Sequence, residues 1–295
     1  MPLDIFVPYW GDPALLKETV ASVLAQENPD WLLTVIDDCY PDPTVREYFA
    51  TIDDERVTYK RNETNKGITE NYRTCVSQAS EELMVILGCD DVLLPNYVDV
   101  VLKAHSDFPD ASVIQPGVQV IDETGRVVRS LADSVKRKFV GPKTSSPTVL
   151  AGESLAVSLL GGNWLYWPSL AFRTDAIRQV TFRDGLPIVQ DLALVMDMVL
   201  QGASLVHVPT LAFSYRRHSQ SASAATLSDG TRFAGDREYA RIAEGLCRDK
   251  GWNNAALAAR IRWTSRLHAV TLMPAAVFSR DAKAIRATAR HAFGS

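Results

Sequence analysis

Short, nearly unbroken apolar runs alternate along this chain with stretches whose apolar residues recur every three or four positions. The runs lie at residues 3–7, 31–36, 57–60 and 83–87, each closed by turn-forming or acidic residues. Runs of this kind suit strands covered on both faces. Between them, residues 14–25 place Leu15, Leu16, Val20, Val23 and Leu24 on one helical face, and helices are also predicted over 44–51 and 68–79. Strands alternating with helices imply βαβ units and a mostly parallel sheet, whose right-handed crossovers bring the carboxyl ends of the strands to one rim.

Further along, 96–105 reads as a helix and 112–121 as a strand made irregular by Pro116 and Gly117. Residues 122–125 form a hairpin turn into 126–128, and the polar stretch 130–148 reads as a mobile loop in which Lys136, Arg137 and Lys138 make a solvated basic run. The pattern then predicts a helix over 150–160, a dense aromatic turn over 161–169, a strand over 169–173, a helix over 191–201, a strand–turn–strand unit over 204–215, and helix from 232 onward. No internal repeat or low-complexity segment interrupts it.

The run at 83–87 is the one that carries chemistry. Gly88 allows a turn or a close approach, and Asp90 and Asp91 follow at the strand's carboxyl end. Ligands of open α/β sheets bind at that end. Two adjacent carboxylates repel each other, so a cation is expected between them. A hard divalent metal carrying a phosphorylated ligand, Mn²⁺ or Mg²⁺, suits oxygen donors of this type. The alternative is a helix cap with Pro95 in the first turn. A second acidic pair, Asp37 and Asp38, closes the strand at 31–36 and falls on the same rim, which favours the ligand reading. In the aromatic turn, Asn163, Trp164, Tyr166 and Trp167 offer a surface for a sugar acceptor, with core packing as the alternative.

Composition narrows this further. The 295 residues are 46% hydrophobic and 22% charged, as in soluble globular proteins, and the net charge of −4 argues against nucleic acid as a partner. From residue 232 to the end there are twelve Lys/Arg against five Asp/Glu, a net of +7 that leaves −11 for the preceding chain. Cys39, Cys75, Cys89 and Cys247 show no zinc spacing and suit reduced thiols, which with the missing signal peptide and spanning helix predicts a cytoplasmic protein. The basic segment 232–295, in which Arg260, Arg262 and Arg266 are interleaved with Ile261, Trp263, Leu267, Val270 and Leu272 and Arg262 and Arg266 share a face of one helix, is expected to pack on the acidic body or a second subunit. The other reading is peripheral contact with the inner membrane face.

LDIFVPYW at 3–10, VIDDCY at 35–40, NKG at 65–67 and LGCDD at 87–91 with Pro95 resemble the nucleotide-sugar half of family 2 glycosyltransferases of the GT-A fold. The likeness runs from residue 3 to about 122 and continues more faintly to about 222, through Gln190, Asp191 and the YRRHSQS run at 215–221. It implies an α/β, Rossmann-like, mostly parallel sheet flanked by helices, with a helical C-terminal extension. It also implies a donor half at 1–122, an acceptor and catalytic half at 123–231, and a basic helical segment at 232–295.

The resemblance further implies roles. Pro8, Tyr9, Asp37, Asp38, Asn65, Gly67, Arg73 and Asp90 match donor-binding positions, with Arg73 toward the pyrophosphate. Asp90, Asp91 and His218 match metal-binding positions, and Asp191 matches the general base. Gly88 and Gln190 depart from the family pattern, each standing where an acidic residue is usual. The implied reaction moves a sugar, with inversion, from a UDP-, dTDP- or GDP-linked donor to the hydroxyl of a glycan, lipid-linked or small-molecule acceptor. Two other readings remain: a non-catalytic sugar- or nucleotide-binding protein on this fold, and a sugar nucleotidyltransferase. The acidic, glycine-poor loop at 8–13 speaks against the latter.

Overall fold

The computed structural model describes residues 1–128, 141–186, 188–217, 231–278 and 282–294. The Lys136–Lys138 run, most of the expected loop over 130–148, and His218 lie outside the described residues.

The first 86 residues are a parallel βαβ system. It consists of β1 (Leu3–Tyr9), α1 (Pro13–Leu24), β2 (Trp31–Asp37), α2 (Thr44–Ala50), β3 (Val57–Arg61), α3 (Ile68–Gln78) and β4 (Leu83–Ile86). Strand β1 lies between β2 and β4, all parallel, and β3 flanks β2. The apolar runs follow from two-sided burial. Leu83 and Val85 of β4 pack with Leu3, Ile5 and Val7 on one face, while Met84 and Ile86 join Phe6 on the other. Helix α1 starts at the expected punctuation, where Asp12 accepts a hydrogen bond from the Ala14 N–H at 2.8 Å and Pro13 takes the first turn.

The second half of the sheet is mixed. It adds β5 (Val92–Leu93), α4 (Tyr97–Asp107), β6 (Val113–Ile121), β7 (Thr148–Leu150), α5 (Gly152–Gly161), β8 (Ala171–Arg173), α6 (Thr174–Ile177), α7 (Gln190–Leu200) and β9 (Leu205–Arg216). Among the described residues the sheet has nine strands in the order β3-β2-β1-β4-β8-β6-β9-β5, with β7 on β9. β8 runs antiparallel to both β4 and β6. The expected irregularity at Pro116–Gly117 is present as register shifts between β6 and β9. Gly117 is required there, because a Cβ would lie 2.7 Å from the carbonyl oxygens of Pro209 and Thr210. The strand–turn–strand expected over 204–215 is instead one strand that absorbs Pro209 opposite that irregularity.

Four helices close the chain: α8 (Thr231–Asp249), α9 (Asn253–Ile261), α10 (Trp263–Phe278) and α11 (Ala282–Phe293). Tyr239, Ala243 and Cys247 of α8 and Ala255, Ala256 and Ala259 of α9 join the core beneath α5 and α7, so this end of the chain packs on the body. Arg262 and Arg266 were expected to share a face of one helix. The helix instead breaks at Arg262, which adopts a left-handed conformation (φ 49°, ψ 42°), and α10 restarts with the Arg266 N–H donating to the Arg262 carbonyl at 3.0 Å. Among the described residues no helix is long and apolar enough to cross a membrane.

Candidate active site

The carboxyl ends of β1, β2 and β4 form one rim, and both acidic pairs stand on it. Asp37 and Asp38 are buried, at 0% and 2% exposure. Asp37 accepts from the Tyr40 N–H at 2.7 Å, from the Tyr59 hydroxyl and from Arg61 at 3.0 Å. Asp38 accepts from the Asn62 amide and the Lys66 and Gly67 N–H groups at 2.8–2.9 Å. Gly67, at φ 83°, also donates its N–H to Asn65 Oδ1 at 3.0 Å and opens α3. These carboxylates therefore fold the 62–67 loop onto the rim.

Tyr9 is likewise turned inward, its hydroxyl donating to the Gly11 carbonyl at 2.8 Å. The aromatic surface left at this edge is Trp10, 51% exposed and edge-on to Tyr40 at 5.2 Å, beside the half-buried Pro8. Arg73 is held by Glu70, by Asp184 at 2.6 Å and by the Phe182 carbonyl, so it braces α3 against the segment before α7.

Asp90 and Asp91 converge. A Cβ placed on Gly88 would lie 2.4 Å from an Asp91 oxygen and 3.1 Å from an Asp90 oxygen, so both carboxylates lean over the glycine. Asp91 is 1% exposed. Burial, and then the Asp90 charge, hold its carboxyl well above the usual carboxylate range, against the pull of the Arg216 N–H and guanidinium. A group in that state is stabilised by a cation, and oxygen donors of this type fit a divalent metal. Among the described residues no set of three His, Cys, Asp or Glu side chains converges as a ready-made metal cage. Two carboxylates with donor phosphates and water remain the arrangement that Mg²⁺ or Mn²⁺ accepts.

Arg216 was not foreseen. It is 2% exposed and organises the acidic pair from behind. Its N–H donates to Asp91 Oδ1 at 2.8 Å and its Nε to the Asp90 carbonyl at 2.7 Å; Nη1 reaches the Glu123 carbonyl at 3.2 Å and Nη2 pairs with Glu18. Its sequence signal is the YRR run at 215–217, which the family resemblance ties to the histidine that follows it.

Asp191 lies half-buried in the first turn of α7. It shares a neighbour with the rim. After burial, the charges of Asp91 and Asp90 raise the Tyr215 phenol, Arg217 lowers it, and Asp191 raises it more weakly. Gln190 is buried and accepts from the Thr69 hydroxyl at 2.8 Å, tying α7 to the start of α3. Of the four aromatic-turn residues, Trp164 and Trp167 are core. Trp164 donates to Ser158 at 3.0 Å, and Trp167 packs against Tyr72, Phe172 and Phe182. That corrects their reading as an acceptor platform, because buried indoles with protein on their faces leave no surface for a sugar. Tyr166 and Asn163 stay half-buried, and the Tyr166 ring stands 5.3 Å from that of Tyr215, beside the carboxylates.

The sequence pattern described as Glycosyl transferase family 2 matches residues 4–156. Uncharacterized protein y4gI of Sinorhizobium fredii is 26% identical over 84% of this chain and 26% of its own length. An Uncharacterized glycosyltransferase of Haemophilus influenzae is 26% identical over 38% of this chain and 37% of its own. The chain thus spans well under half the length of these curated relatives. Among solved structures, residues 1–349 of S. aureus TarS in complex with UDP-GlcNAc superpose with a TM-score of 0.69 at 14% identity, covering 99% of this chain and 82% of that one. At that identity the likeness shows a shared fold.

Proposed function

The chain belongs to glycosyl transferase family 2, and from that premise we propose that it transfers a sugar, with inversion, from a nucleotide-diphospho-sugar to an acceptor hydroxyl. The observation that carries the reading is the pair Asp90 and Asp91, closed over Gly88 at the carboxyl end of β4 and held from behind by Arg216. The UDP-GlcNAc in the TarS neighbour's complex supports a uridine diphosphate donor as the first to test.

Asp191 takes the proton of the acceptor hydroxyl. The freed oxygen attacks the anomeric carbon as the bond from that carbon to the diphosphate breaks, and the nucleoside diphosphate leaves from the opposite face. Asp90 and Asp91 would hold Mn²⁺ or Mg²⁺, which supplies Lewis-acid neutralisation of the leaving diphosphate. Arg216 holds the Asp91 carboxylate through its N–H and the Asp90 backbone through its guanidinium. Asp37 and Asp38 hold the 62–67 loop so that Asn65 and Gly67 border the donor, with Pro8 and Trp10 at the base. Tyr166 and Asn163 border the acceptor side. The acceptor class, whether glycan, lipid-linked or small molecule, follows from pocket shape and is part of the test.

Incubation with UDP-, dTDP- and GDP-sugars and a panel of acceptors, with and without Mn²⁺, should release nucleoside diphosphate. Asp191→Asn should keep donor affinity while lowering turnover by roughly 10²–10⁴. Turnover near wild type in that variant removes Asp191 as the base. Donor affinity unchanged by Asp90→Asn and Asp91→Asn, with and without Mn²⁺, removes the metal site.

A further inference from the structure

Four C-terminal helices bring arginines together away from the acidic rim. Arg237 and Arg241 lie on α8, Arg262 at the break after α9, Arg266 on α10 and Arg290 on α11. After burial, the charges of Arg266 and Arg237 are the largest influences lowering the Arg262 guanidinium, and those of Arg290 and Arg241 do the same to Arg237. The carboxylate facing them is Asp236, which accepts from the Ser265 hydroxyl at 3.0 Å. His291 is fully buried among them, stacked on Phe233 at 4.4 Å, with its ring nitrogens 2.7 Å from Ser265 Oγ and 3.3 Å from an Arg237 nitrogen.

Several like charges in a half-buried site destabilise one another unless an anion joins them. The Nε atoms of Arg262 and Arg266 are buried and have no hydrogen-bond partner among the described residues, and an unmade bond of a buried charged donor is costly. Arg262 holds a left-handed backbone conformation that side-chain-bearing residues rarely adopt, and this turns the chain between α9 and α10 at the cluster. Arg241 and Arg290 are exposed, so the cluster opens to solvent on their side.

We propose that this cluster is a binding site for a phosphate-type oxyanion, held by Arg237, Arg262 and Arg266 and admitted past Arg241 and Arg290. The planar guanidinium fork matches two oxygens of one phosphate group, and several forks from different helices can share it. Bound there, the anion ties α8, α9, α10 and α11 to one another. The site is separate from the carboxylate rim: Tyr239, Ala243 and Cys247 of α8 pack into the core that carries α7, while Arg237 and Arg241 meet the other helices. The phosphate has two possible sources, a soluble phosphorylated molecule or a lipid headgroup, and both present the same group to the arginines.

The test uses the full chain with EDTA present, so that the Asp90–Asp91 rim does not contribute. Titration with inorganic phosphate and pyrophosphate, at ionic strength matched with chloride, should show saturable binding and a rise in melting temperature that chloride does not produce. Arg262→Gln and Arg266→Gln should each weaken phosphate at least tenfold. Should either variant fail to fold, the exposed Arg241→Gln and Arg290→Gln carry the same comparison. Vesicles of phosphatidylglycerol and of phosphatidylcholine separate the sources. Sedimentation with the first alone, reversed by phosphate and lost in the arginine variants, makes the headgroup the ligand; phosphate binding without vesicle binding makes it a soluble one. Phosphate no different from chloride, or full affinity retained in all four variants, overturns the proposal.

Discussion

Gly88→Ala is the most informative single change. Gly88 is not at positive φ, so a side chain there meets no backbone penalty. It meets Asp91 instead: the added Cβ would sit 2.4 Å from the carboxylate, about 1 Å inside an ordinary contact. Two responses are open. If the neighbours shift together, overpacking costs about 1–3 kcal/mol. If Asp91 rotates away, it gives up the 2.8 Å bond from the buried Arg216 N–H, a charge-assisted bond worth about 1.5–3 kcal/mol. Either way, stability should fall by about 1–3 kcal/mol, and metal-dependent nucleotide affinity should fall with it.

The cause is isolated by a double-mutant cycle. With Asp91→Ala the 2.4 Å contact is gone and the nearest atom is an Asp90 oxygen at 3.1 Å. In that background Gly88→Ala should cost within about 0.5 kcal/mol of nothing, leaving a coupling of about 1 kcal/mol or more. Urea unfolding followed by circular dichroism measures the stabilities, and calorimetry with UDP and Mn²⁺ measures affinity. Equal cost of Gly88→Ala in both backgrounds would mean that the two carboxylates do not close over the glycine, and the convergence argued for the site would fall with it.

Trp167→Ala should cost about 3–5 kcal/mol of stability, the usual range for emptying a buried indole site; an effect confined to acceptor KM would return Trp167 to the acceptor surface. Thr69→Val leaves the buried Gln190 oxygen without its donor, so stability should drop by about 1–3 kcal/mol and turnover should fall more than donor affinity. Arg216→Met strands the Asp90 and Glu123 carbonyls and should weaken Mn²⁺-dependent nucleotide binding; unchanged affinity would end its role as organiser. His291 is driven down from 6.5 to about 4, first by burial and then by Arg262 and Arg237. The unfolded chain therefore takes up this proton at higher pH than the folded one. The stability it contributes is complete above about pH 6.5 and is lost as pH falls toward 4, by about 1–3 kcal/mol. His291→Phe should flatten that slope in urea unfolding measured across the same range.

The parallel half of the sheet was legible because two-sided burial leaves a mark that needs no tertiary knowledge. Leu83 to Ile86 are apolar at every position since both faces are covered, and the acidic pairs follow directly at the strand ends. The later half was less legible. β5 and β7 have two or three residues each and are held by partners distant in sequence, Val92 by Ser214 and Thr148 by His207. No local period announces such strands. The aromatic turn misled for a related reason: a Trp lining a sugar site and a Trp filling a core read alike until neighbours such as Tyr72 and Phe182, about 100 positions away for the first, are brought to it.

The two departures from the family pattern have their explanation in packing. Gly88 is where an acidic residue is usual, yet the space a side chain would need is filled by the carboxylates of Asp90 and Asp91. A third acid at that point would add charge to a pair in which Asp91 is already buried and held above its ordinary range. Gln190 is 3% exposed and its oxygen accepts from Thr69. A glutamate would accept the same bond but bury a charge next to Asp191, and an uncompensated buried charge is far costlier than a neutral amide. In both places the residue present keeps the geometry and lowers the charge. On the proposed reading, Asp90 and Asp91 are thereby left to hold a cation and Asp191 to take the substrate proton.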